Sequence, residues 1–135
     1  MIECSFPRQV VALGSIFEFA RAFFESHGLP GDQTFDVDLI LEELFTNMVR
    51  HSSEGRHDIS IGLDLDGANL TIVLRDRGVE PFDVAAAPEI DVDRPARDRR
   101  PGGLGLHLVH KIADGISYQY ADRTSTITIT KRLEL

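Results

Sequence analysis

The chain has 135 residues, with 14 Lys and Arg against 22 Asp and Glu, giving a formal charge of −8 at pH 7. This length suits one domain with a real core, and the acidic balance opposes a phosphate-backbone partner, so no direct nucleic-acid binding is expected. No apolar run approaches the roughly 20 residues of a membrane span, no basic-then-apolar leader opens the chain, and the single cysteine, Cys4, can form no internal disulfide. A protein of the reducing cytoplasm with no membrane partner is the expectation.

The first residues alternate, with Ile2, Cys4 and Phe6 against Glu3 and Ser5, which predicts a short strand stopped by Pro7. Leu13, Ile16, Phe17, Ala20, Phe23 and Phe24 then recur at spacings of three and four, the signature of a first helix, and Gly28 followed by Pro30 reads as its stop. A second helix is expected from near Asp32 to Thr34, fraying at Ser52-Ser53-Glu54-Gly55. Its stripe is Ile40, Leu41, Leu44, Phe45, Met48 and Val49, and at the edge of that stripe lie Glu43 and Asn47, one turn apart. A carboxylate so placed can accept a proton or orient a hydroxyl, and an amide oxygen is a hard neutral ligand suited to Mg²⁺. The plainer reading of the same pair is a solvated acidic face beside a core stripe.

Two strands follow. Ile59, Ile61, Leu63 and Leu65 alternate with polar residues, Asp66-Gly67 supplies turn chemistry, and Leu70, Ile72 and Leu74 continue the pattern. Asp76 is in phase with these last three, so it points to the buried side if the strand reaches it, where its carboxylate can accept a hydrogen bond from a ligand amino group such as that of adenine. If the strand stops at Arg75, Asp76 only opens a turn with Gly78.

Residues 79–101 keep no helical or strand period and interleave Glu89, Asp91, Asp93 and Asp98 with Arg94, Arg97, Arg99 and Arg100. A polar loop of that length is usually a functional lid or a disordered segment. It leads into Gly102-Gly103-Leu104-Gly105-Leu106, the expected start of a third helix carrying Leu104, Leu108 and Ile112 on one face. Glycines there let backbone approach a ligand, and free N–H groups at a helix start favour phosphate; the spacing is neither a Rossmann fingerprint nor a P-loop. Gly115 is expected to end this helix. Ile116, Tyr118 and Tyr120 begin a strand, Asp122-Arg123 turns, and Thr126, Thr128 and Thr130 alternate with Ile127 and Ile129 in a last strand. The order of elements predicts an α+β two-layer sandwich, a mainly antiparallel sheet with three helices on one face, in which Glu43/Asn47, Asp76 and Gly102 to Gly105 can converge on one cleft.

Three boxes in this order resemble those of the Bergerat-fold (GHKL) ATPases. Glu43-x-x-x-Asn47 is similar to the N box, Asp76-x-Gly78 to the adenine-binding G1 box, and Gly102-Gly103-Leu104-Gly105-Leu106 to the G2 box. The match spans essentially residues 1–135 as a single kinase-type domain, with 79–101 as its ATP lid. Within the superfamily, Glu43-Leu44-Phe45-Thr46-Asn47 with His51, and Asp76-Arg77-Gly78-Val79-Glu80-Pro81-Phe82-Asp83, most resemble the small bacterial anti-sigma-factor serine/threonine kinases of the RsbW/SpoIIAB type.

The resemblance implies ATP and Mg²⁺ as cofactors, with Asn47 as the metal-coordinating residue and Glu43 as base or orienting group for a seryl or threonyl hydroxyl. It implies that Asp76 reads the adenine amino group, that Gly78 lets the base sit close, and that Gly102, Gly103, Leu104, Gly105 and Leu106 form the phosphate-binding segment with Arg100 reaching the terminal phosphate. A STAS-domain anti-anti-sigma factor would be the substrate, a sigma factor the sequestered partner, and a homodimer the usual assembly. Two departures stand out. Glu42 precedes Glu43, and Arg123-Thr124-Ser125-Thr126 stands where a Gly-Thr pair is often found, which leaves Thr126 as the candidate third adenine contact. The alternative function is a nucleotide-gated binding module with little phosphotransfer.

Overall fold

The computed structural model describes residues 1–51, 57–81 and 103–135. In chain order these form β1 (Ile2–Phe6), α1 (Leu13–Ser26), α2 (Thr34–His51), β2 (Ile59–Asp66), β3 (Asn69–Arg77), α3 (Gly103–Ile112), β4 (Gly115–Ala121) and β5 (Thr124–Arg132), with single 3₁₀ turns at Val10–Ala12 and Gly31–Gln33. The strands make one sheet in the order β1-β2-β3-β5-β4, antiparallel at every pairing. The fold is the α+β two-layer sandwich that the alternation and helical spacing predict.

Period-two alternation sorts the sheet into two faces. Ile59, Ile61, Leu63, Leu70, Ile72, Leu74, Ile127 and Ile129 are buried in one core with Ile16 and Phe24 of α1, Ile40, Leu41, Leu44 and Phe45 of α2, and Val109 of α3. The other face carries Ser60, Gly62, Val73, Arg75, Thr126 and Thr128, where Arg75 meets Glu3 at 3.0 Å. Phe45 is fully buried, and truncating it to Ala would cost about 3–5 kcal/mol through lost transfer energy and a residual cavity.

The helix ends follow local chemistry where the sequence supplies it. Gly28 takes φ +63 and Leu29 N–H donates to the Phe24 carbonyl at 2.9 Å, the glycine-capped stop expected for α1. Asp122 and Arg123 both have positive φ, as the two-residue turn between β4 and β5 requires. The end of α3 departs from expectation: the helix stops at Ile112, and Gly115 is the first residue of β4, opposite Thr130. The cause is long-range, because Lys131 of β5 donates its Nζ to the Ile112 carbonyl at 2.8 Å and Asp114 N–H bonds the Thr130 carbonyl. Gly115 serves close approach instead, since a Cβ there would lie 2.6 Å from Thr130 Oγ1. The expected fraying at Ser52 to Gly55 and nearly all of the expected lid lie outside the described residues. No described helix is long and apolar enough to cross a membrane.

Candidate active site

The apolar stripe of α2 anchors it in the core through Val37, Ile40, Leu41, Leu44, Phe45 and Met48, and that anchoring sets the azimuth of its polar edge. Asn47 is buried, and its Nδ2 donates to the Glu43 carbonyl at 2.6 Å. With the amide nitrogen so used, Oδ1 is left as the acceptor, an assignment made from the hydrogen bond. Glu43, one turn earlier, is half-buried. Desolvation pushes its carboxyl above the ordinary glutamate range, the neighbouring Glu42 adds to that, and Arg50 opposes it. A half-buried carboxylate of raised pKa beside a neutral oxygen ligand is suited to proton acceptance next to a cation.

β3 runs on to Arg77, so Asp76 lies inside the strand and not in a turn. Its cross-strand neighbours are Ile59 and Ser125, which places it on the helix-covered face, and it is 2 % exposed. The partner that makes this burial tolerable is Arg8, just after β1. Its Nη2 pairs with Asp76 Oδ1, and its Nη1 bonds Oδ2 at 3.2 Å and the Met48 carbonyl of α2 at 3.3 Å. The guanidinium therefore bridges the strand end bearing Asp76 to the helix turn bearing Asn47.

The chain leaves β3 through Gly78, at φ +69, where a Cβ would lie 2.9 Å from the His57 ring. The next residues are tied to the β4–β5 hairpin. Val79 N–H bonds the Arg123 carbonyl at 3.0 Å, Tyr120 donates its hydroxyl to the Val79 carbonyl at 2.6 Å, and Arg123 pairs with Glu80 at 3.1 Å. The Asp76-x-Gly78 segment is thus held on three sides, by α2 through Arg8, by β2, and by the last hairpin.

The remaining candidates divide. Gly103, Leu104 and Gly105 form the first turn of α3, where the helix leaves backbone N–H groups unpaired within itself. Leu106 is 8 % exposed and joins the core with Val109, and α3 packs against α2. Arg100 and Gly102 lie outside the described residues. Thr126 pairs with Arg75 on the face away from the helices, whereas Ser125 is the cross-strand partner of Asp76 and shares a 3.2 Å hydrogen bond with Tyr118. Arg8 and Ser125, which neighbour Asp76, and Tyr118, which bonds Ser125, carry no signal in the sequence that links them to the candidate residues. Among the described residues, no three His, Cys, Asp or Glu side chains converge to hold a metal by themselves.

Residues 6–131 match the family of the histidine kinase-like ATPase domain. The serine-protein kinase RsbW of Halalkalibacterium halodurans is 26% identical over 98% of this chain and 83% of its own length. The serine/threonine-protein kinase BtrW of Bordetella bronchiseptica is 30% identical over 71% of this chain and 68% of its own. Among solved structures, the RsbU and RsbW domains of Rv1364c from Mycobacterium tuberculosis superpose with a TM-score of 0.66 at 17% identity, covering 98% of this chain and 32% of that longer one. The SiaB–SiaC complex of Pseudomonas aeruginosa gives 0.64 at 13%, covering 96% and 88%. At those identities the two structures share the fold. The chain belongs to the histidine kinase-like ATPase domain family, in the branch of the RsbW and BtrW protein serine/threonine kinases.

Proposed function

We propose that this chain transfers the γ-phosphoryl group of ATP to a seryl or threonyl hydroxyl of a STAS-domain anti-anti-sigma factor, and that it sequesters a sigma factor once that substrate is phosphorylated. The observation that carries the reading is the pairing, on one helix edge, of a desolvated carboxylate with a buried amide one turn away, on a helix that Arg8 links through the Met48 carbonyl to a buried aspartate at a strand end. Glu43 accepts the hydroxyl proton as the substrate oxygen attacks the γ-phosphorus and the bond to the ADP oxygen breaks. Asp76 receives the adenine amino group, and Gly78 brings the backbone close to the base. The first turn of α3 gives N–H groups to the phosphates, with Gly102 and Arg100 as the adjoining contributors and residues 79–101 as the lid over them.

Mg²⁺ fits this donor set, since it is commonly held by one or two protein oxygens together with substrate phosphates. The Asn47 Oδ1 would hold it, and it would supply neutralisation of phosphate charge. The relatives' names support the kinase reading, and the homodimer and the cytoplasmic setting are part of the proposal. The test is transfer of labelled phosphate from ATP to a STAS-domain protein. Label on a serine or threonine that disappears in Glu43→Ala, with ATP binding retained, supports the reading. Nucleotide-dependent partner capture without transfer would make the chain a binding module instead.

A further inference from the structure

Asp76 reads adenine only if its carboxylate is held in one orientation. The groups that hold it come from 68 residues away. Arg8 presents its guanidinium edge-on to both carboxylate oxygens, and the pair is 8 % and 2 % exposed, sealed between β3 and α2. Each carboxylate oxygen accepts from Arg8 with one lone pair and retains another for a ligand N–H. The planar fork fixes the orientation of that second lone pair. An ammonium group would compensate the charge without doing so. The same Nη1 also reaches the carbonyl of Met48, the residue after Asn47, so one side chain references the base-reading strand to the helix turn of the metal-binding amide.

We infer that Arg8 is a positioning residue for nucleotide selection: it orients the Asp76 carboxylate toward the adenine amino group and sets the distance between base and phosphate subsites by tying β3 to α2. The inference rests on the nucleotide reading of the site. A merely structural role for the Arg8–Asp76 pair would lower stability and leave base selectivity untouched, and that difference separates the two.

The experiment titrates Mg·ATP and Mg·ITP, whose base carries an oxygen where adenine has its amino group, into the wild type, Arg8→Lys, Arg8→Gln and Asp76→Asn. Thermal unfolding of each variant confirms that it is folded. The wild type should prefer ATP, and Asp76→Asn should abolish most of that preference. Arg8→Lys keeps the buried charge and should fold, yet its ATP-to-ITP affinity ratio should drop by about tenfold, the order of one charge-assisted hydrogen bond. Arg8→Gln keeps an amide NH2 without the charge and stands in if the lysine variant fails to fold, with an unchanged ratio as its overturning result. A folded Arg8 variant whose ratio stays within about twofold of the wild type, while Asp76→Asn loses it, would overturn the positioning role. If Asp76→Asn itself keeps the full ratio, the fault lies in the base-reading assignment, and the inference falls with it.

Discussion

Replacing Glu43 by Gln keeps the side chain's shape and removes its charge, and the structure assigns that charge two effects of opposite sign. In the folded state, desolvation raises the carboxyl pKa above its unfolded value, with Glu42 adding to the rise and Arg50 reducing it. The folded chain therefore holds this proton more tightly than the unfolded chain does. Stability from this group is fully present below the unfolded pKa and is lost as pH rises through the folded pKa, so the ionised form is a standing penalty at neutral pH. Glu43→Gln escapes it. The variant should unfold at or slightly above the wild-type midpoint at pH 7, and that advantage should vanish in acid. The gain is small because the group is only half-buried and water screens it. The rate moves the other way and much further, since loss of a general base costs about 10²–10⁴-fold. Single-turnover transfer at saturating Mg·ATP reads the rate, and calorimetry reads the affinity, which should change by less than about threefold. The wild-type rate profile should also show an acid limb displaced above the ordinary glutamate range, absent from the variant. A rate within about threefold of the wild type, or a clear loss of stability at neutral pH, would refute the role given to this carboxylate.

Other consequences are as direct. Asn47→Ala should remove most of the difference between ATP affinities measured with and without Mg²⁺, by about tenfold or more, and an unchanged difference would disprove the metal assignment. Gly78→Ala should cost about 1–2 kcal/mol in urea unfolding because φ is +69, and adding His57→Ala should not restore it, since the exposed imidazole can swing away whereas the backbone cannot. Thr126→Ala should leave ATP affinity within about twofold, whereas Ser125→Val, beside Asp76, should weaken it; the reverse result would reinstate Thr126 as the adenine contact.

Much of this was legible in the chain because the relevant signals are local. The apolar stripe of α2 places Glu43 and Asn47 at its edge, and the alternation through Leu70, Ile72 and Leu74 carries Asp76 inward. Thr126 stands one residue out of phase with Asp76's cross-strand partner in a pattern of period two, where a single step changes the face. Ile127 and Ile129 lie in the core, so the same alternation points Ser125 inward and Thr126 outward. Arg8 had no local signal at all, for it follows Pro7 between two elements and finds its partner across the sheet. Gly115 was misplaced for the same kind of reason: Lys131, from the last strand, receives the end of α3 three residues earlier. What the sequence concealed were contacts between distant segments, and these include the buried ion pair between Arg8 and Asp76.

The central claim is that Mg·ATP occupies the cleft between α2, the end of β3 and the start of α3. Calorimetric titration of Mg·ATP into the purified protein, with Asp76→Asn beside it, addresses that claim most directly. The account predicts saturable binding to the wild type that the substitution weakens by about tenfold or more, the worth of a hydrogen bond to a charged group. Absence of binding to a folded wild-type protein would contradict it and leave the sandwich as a scaffold for protein contacts alone.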